Sequence, residues 1–161
     1  MNAGAAAARG DILLFLHIDT VLPASALQLP EWLDQSDCVW GRFNLRLSGS
    51  HPAFRLIEKL ISLRSRITGI ATGDQTIFVR RDAFDRAGGY ADVPLMEDVL
   101  LSRCLLKQSR PLCLREQVIS SSRRWERDGI LKTILLMWLL RLRFFLGADA
   151  AKLAAIYYKK T

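Results

Sequence analysis

The chain has 161 residues and a mass of 18.2 kDa, with 50% hydrophobic and 24% charged residues. That is the length of one domain, apolar enough for a core, which excludes global disorder; ten Gly and five Pro exclude collagen-like character. The net charge of +7 is unevenly placed: residues 1–100 hold 10 Lys/Arg and 12 Asp/Glu, residues 101–161 hold 13 and 4.

The basic character therefore belongs to the C-terminal third, which suits phosphorylated ligands or anionic lipid. That segment has no recognised nucleic-acid recognition motif, so nucleic acid is not an expected partner. Three cysteines (Cys38, Cys104, Cys113) without C-x-x-C spacing argue against a disulfide scaffold or a zinc cage and for a reducing, cytoplasmic setting.

In chain order, the Ala-rich opening up to Gly10 predicts a helix with its C-terminal stop, in a chain that reads as missing its beginning; it lacks the pattern of a secretory signal. Residues 11–16 (DILLFL) predict a buried, parallel strand ending at His17 and Asp19. A helix follows from Pro23 to about Leu33. Residues 38–47 alternate, with Arg42, Asn44 and Arg46 on the wet face of a strand. Residues 54–67 predict an amphipathic helix, 68–73 a flexible loop, and 75–79 a strand. Asp82 caps a short helix ending at Gly88-Gly89, and a longer helix over 95–107 carries Glu97 and Asp98 in its first turn. Two short strands (111–114, 118–121) and a charged loop (122–129) lead to two C-terminal helices, 130–146 and 149–158.

The expected class is α/β: a mixed, mostly parallel sheet flanked by helices, over residues 1–128, followed by basic amphipathic helices over 129–161. Lys132, Arg141 and Arg143 interrupt the run at 130–146. A mid-bilayer Arg costs about 2.5–3.5 kcal/mol, so an interfacial or protein-packed helix is more economical than a membrane span, and a peripheral position at the membrane surface fits the composition.

Four groups of residues have the chemistry of a site, each with a plainer alternative. Asp19 is either a helix cap or a ligand for Mg²⁺ or Mn²⁺ completed by a diphosphate. Glu97-Asp98 is either dipole complementation or a general base. Gly73-Asp74-Gln75 is either a turn or a loop that admits a ligand to the backbone. Arg124-Trp125 is either a solvated basic loop or a phosphate and sugar contact.

Their order is more specific than any one of them. Asp19, then Gly73-Asp74-Gln75-x-x-Phe78-x-Arg80-Arg81-x-x-Phe84-x-x-x-Gly88-Gly89-Tyr90, then Glu97-Asp98, then Arg124-Trp125 resembles the family 2 glycosyltransferases of the GT-A fold. Gly69–Gln75 and Pro94–Asp98 look like a bacterial branch of that family. The resemblance implies an inverting, metal-assisted transfer of a sugar from a nucleotide-diphosphate donor to an acceptor hydroxyl of unknown identity. It implies Asp98 as base with Glu97 beside it, Asp19 and His17 at the divalent metal, and Gly73, Asp74, Gln75, Arg124 and Trp125 at the substrates. His17 stands where the family has the first Asp of Asp-x-Asp, and the family's nucleotide-binding N-terminal part has no counterpart here, which implies a truncated form. A basic, non-catalytic domain docking on membranes is the alternative.

Overall fold

The structure, a computed structural model, describes residues 1–158. Five strands form one sheet: β1 (Ile12–Phe15), β2 (Thr20–Val21), β3 (Trp40–Leu47), β4 (Ile77–Arg80) and β5 (Leu112–Ser120), in the order β1-β4-β3-β5-β2. Eight helices accompany it: α1 (Asn2–Ala7), α2 (Leu29–Asp34), α3 (Pro52–Thr68), α4 (Arg81–Arg86), α5 (Glu97–Leu105), α6 (Arg123–Asp128), α7 (Ile130–Phe145) and α8 (Ala150–Tyr158). The α/β class holds, but the sheet is not mostly parallel. Only β3 and β5 run parallel; β1–β4, β3–β4 and β2–β5 are antiparallel. The apolar run expected to be buried on both faces is an antiparallel edge strand with one open face: Leu13 is buried, but Leu14 and Leu16 are exposed, and the connections, not the run, decide its direction.

Alternation along β4 divides the core. Ile77 and Val79 join Leu13, Trp40, Ala71, Leu101 and Leu105 on one face, and Phe78 joins Leu29, Leu33, Phe43 and Val118 on the other. The helix expected from Pro23 is instead a 3₁₀ turn (Ala24–Gln28) leading into α2. The two short strands near 111–121 are one strand, because β5 bulges where its register against Arg42 and Asn44 shifts. The charged loop is a helix, α6.

Arg42 is fully buried rather than on a wet face. Its guanidinium donates to the Ser62 and Phe43 carbonyls, the Ser65 hydroxyl and the Asn44 side chain, so burial, which pulls its pKa below the usual arginine range, is met by four acceptors. His51 caps α3 by accepting from the Ala53 amide, and Gly69 ends it at φ 72°. Glu58, buried on α3, accepts from the Leu47 amide at 2.7 Å and pairs with Arg55, fastening the helix to the end of β3.

Residues 159–161 of the C-terminal segment lie outside the described residues. Within it, α7 and α8 pack on the start of α5: Leu140 and Leu153 share one buried cluster with Met96 and Val99. No described helix is long and apolar enough to cross a membrane.

Gly41 tests the sheet. A Cβ there would lie 2.3 Å from the Leu112 carbonyl oxygen and 2.5 Å from the Phe78 ring. Gly41→Ala is expected to destabilise the fold by about 1–3 kcal/mol, read as a lower midpoint in denaturant; an unchanged midpoint would contradict this packing.

Candidate functional site

The site forms where the segment between α3 and β4 meets the start of α5. Asp98 and Ser102, one helical turn apart, share a face of α5. Asp98 Oδ2 accepts the Gly73 amide at 2.8 Å, and Ser102 exchanges hydrogen bonds with both backbone groups of Ala71. A reciprocal capping box between Thr72 and Gln75 holds Gly73–Gln75 as a 3₁₀ turn. The loop predicted to be flexible is thus fastened to α5 at residues 71 and 73.

Gly73 leaves room for a side chain from another segment. A Cβ there would lie 2.5 Å from His17 Nε2, so the imidazole at the end of β1 rests against the glycine. Three sequence-distant segments, 17, 73 and 98, meet at this point. Among the described residues the two non-glycine residues with positive φ border it: Thr76 (φ 51°) directly follows the turn, and Met96 (φ 68°) directly precedes Glu97. Such backbone costs about 1–3 kcal/mol each and persists only where the surroundings enforce it.

Around this point lie buried polar atoms without a hydrogen-bond partner among the described residues: His17 Nε2, Asp74 Oδ1, Gln75 Nε2, Thr76 Oγ1 and Arg64 Nη2. Unmet donors and acceptors gathered in one place are what a polar ligand satisfies. Burial pushes the Asp98 carboxyl above the usual aspartate range. Neighbouring Glu97 and Asp74 add to the rise, while the Gly73 and Val99 amides oppose it. Burial also lowers Arg64 to about 10, with Arg141 adding to the fall and Asp74 and Asp98 holding it up.

Arg124 stacks on the Tyr157 ring, 3.7 Å from its centre, and reaches the Tyr157 carbonyl at 3.4 Å. Burial raises the Tyr157 pKa against the pull of Arg124, and Asp74 and Asp98 both act on the same phenol. Arg124 is thus held against Tyr157, while Asp98 acts on that phenol only through its charge. Its neighbour Trp125 points elsewhere, into the cluster of Leu45, Leu47, Phe54 and Ile57.

Asp19 stands apart. It is exposed, on a turn closed by the Thr20 amide to the His17 carbonyl, and it caps no helix. Among the described residues no group of three or more His, Cys, Asp or Glu side chains is gathered as a metal site. A divalent cation at this turn would draw most of its oxygens from its ligand, since one carboxylate and one imidazole are a thin donor set for Mg²⁺ or Mn²⁺.

The sequence does not mark Arg64, Arg141 or Tyr157 as site residues. Each lies on a helix whose periodicity assigns it a face without naming what it meets.

The raised Asp98 pKa has a stability consequence with a definite sign. The folded chain holds this proton more tightly than the unfolded one. The contribution is complete below the ordinary aspartate value of 3.8 and is lost as pH rises through the raised one. Asp98→Asn keeps an acceptor for the Gly73 amide and removes that loss. Its melting temperature relative to the native chain is expected to climb between about pH 3 and pH 7; a difference independent of pH would show that the carboxyl is not perturbed.

Comparisons with protein-family models, with curated proteins and with solved structures return no match for this chain.

Proposed function

We propose that this chain carries the acceptor side of a glycosyltransferase site that moves a sugar, with inversion, from a nucleotide-diphosphate donor to a hydroxyl. The observation that carries the reading is the desolvated Asp98 carboxylate, latched to the Gly73 amide against which His17 rests, with unpaired polar atoms on His17, Asp74 and Arg64. The motif order that resembles GT-A family 2 transferases is its other support.

In this reading Asp98 takes the proton of the acceptor hydroxyl. The oxygen attacks the anomeric carbon from the face opposite the diphosphate, and the bond from that carbon to the phosphate oxygen breaks, releasing the nucleoside diphosphate. Burial raises the basicity of Asp98 toward that of a hydroxyl-activating group, a role worth about 10²–10⁴-fold. Glu97 next to it keeps the proton affinity high through like charge.

The departing diphosphate gathers negative charge. In this reading Arg64, with Nη2 unpaired, and Arg124, held against Tyr157, would meet it. Asp74 Oδ1, buried and unpaired, would accept from a sugar hydroxyl. A divalent cation held by Asp19 and His17 with the donor's own phosphate oxygens would neutralise the same charge.

The test is transfer from radiolabelled nucleotide sugars to a panel of hydroxyl acceptors by a complete transferase that carries this segment. There Asp98→Asn is expected to lose about 10²–10⁴-fold in turnover with little change in donor binding; full turnover by that variant would remove Asp98 from the role. This chain by itself is expected to bind nucleotide sugars weakly or not at all, and micromolar binding in calorimetry would contradict the reading.

A further inference from the structure

α3 and α7 each leave an apolar stripe open to solvent. On α3 the exposed residues are Leu56, Leu60, Leu63 and Ile67; on α7 they are Leu131, Leu135, Trp138, Leu142 and Phe145, with Leu139 and Leu146 beside them. Both sets advance by alternating steps of three and four, so each lies along one line of its helix. Trp138 is 71% exposed and Phe145 74%, far from the burial that large apolar side chains reach in a core.

The two stripes share one side of the molecule. Ile57 and Ile61 of α3 meet Ile130 and Ile134 of α7 around one cluster, and further along both helices Arg64 is close enough to Arg141 for its pKa to be lowered by it. The helices therefore run alongside each other in the same direction. At 100° per residue, the inward faces (Phe54, Ile57 and Ser65; Thr133 and Leu140) leave both stripes pointing away from the sheet.

The charges around these stripes are of one sign. Lys132 and Arg143 border the α7 stripe and Lys59 and Arg66 lie exposed on α3. α7 has no acidic residue, and the single one on α3, Glu58, is buried and paired with Arg55. A second copy of the chain laid on this face would set cation against cation, whereas an anionic surface is complementary.

We propose that the outward faces of α3 and α7 form a docking surface for an anionic lipid bilayer, with the apolar side chains in the headgroup–acyl boundary and Lys59, Arg66, Lys132 and Arg143 at the phosphates. α7 has 16 residues, about 24 Å, so it lies in the interface and does not cross the bilayer. An exposed Trp among Leu and Phe, bordered by Lys and Arg, is the composition that an interfacial helix requires. The surface rests on α3 and α7 alone and holds whatever chemistry the Asp98 site performs.

The full chain is co-sedimented with vesicles of phosphatidylcholine, with and without phosphatidylglycerol. Binding is expected only to the anionic vesicles and is expected to fall with salt. Each of Lys132→Ala and Arg143→Ala is expected to weaken it about fivefold, and Leu135→Ser with Trp138→Ser to abolish it while the circular dichroism spectrum is unchanged. Failure to bind anionic vesicles would overturn the proposal, as would binding that survives these substitutions. A dimer in light scattering that the same substitutions disperse would overturn it in favour of self-association. None of the four residues belongs to the Asp98 site, so loss of vesicle binding with transfer to a water-soluble acceptor by the complete transferase retained separates this surface from that chemistry.

Discussion

The hydrogen bond from the Gly73 amide to the Asp98 carboxylate is the constraint on which the site depends. An amide donor is fixed by the backbone, so Asp98 is aimed by the fold of the 71–75 segment and not by another mobile side chain. Ser102 repeats the fastening one turn later through both polar groups of Ala71. Gly73 meets two demands at once: its amide faces Asp98, and its missing side chain admits His17. An alanine would satisfy the first and displace the His17 ring from its present place. The positive φ at Thr76 and Met96 fits this account, because the chain enters β4 and α5 from positions that packing and the latch together dictate.

Burial acts in opposite directions on the two signs of charge gathered here, and the two effects are coupled. Desolvation raises Asp98 and lowers Arg64, and each carboxylate near Arg64 partly restores its charge. A carboxylate surrounded only by apolar groups would be protonated and useless as a base; one fully paired to a guanidinium would be too weak. Here the nearest donors to Asp98 are amides of Gly73 and Val99, which stabilise its charge without neutralising it. Arg64 stays close enough to act electrostatically and keeps one nitrogen unpaired.

The sequence was most legible where local chemistry decides the outcome. The acidic pair Glu97-Asp98 marks the first turn of α5, and the 54–67 periodicity marks the helix α3. It was least legible where a residue's partner lies far along the chain. Alternation put Arg42 on the wet side of β3, but α3 covers that side and supplies the acceptors that make the burial tolerable. The apolar run at 11–16 signalled neither strand direction nor the open face on which Leu14 and Leu16 are exposed. Arg124 and Trp125 are adjacent in sequence, yet the helical turn of α6 sends one to Tyr157 and the other into the apolar cluster under α3. Arg64 and Tyr157 belong to helices whose patterns are fully explained by amphipathicity, so nothing local distinguished them from their neighbours.

The C-terminal helices are not an appendage to the sheet. Leu140 of α7 and Leu153 of α8 pack against Met96 and Val99, the residues on either side of Glu97-Asp98, and Tyr157 of α8 carries Arg124 to the same region. The strained backbone at Met96 is therefore held in place by side chains from the segment with the open apolar face. Leu140 of α7 and Leu153 of α8 thus pack beside the turn that precedes Glu97-Asp98, so that turn is seated on the C-terminal helices on one side and fastened to the 71–73 segment on the other.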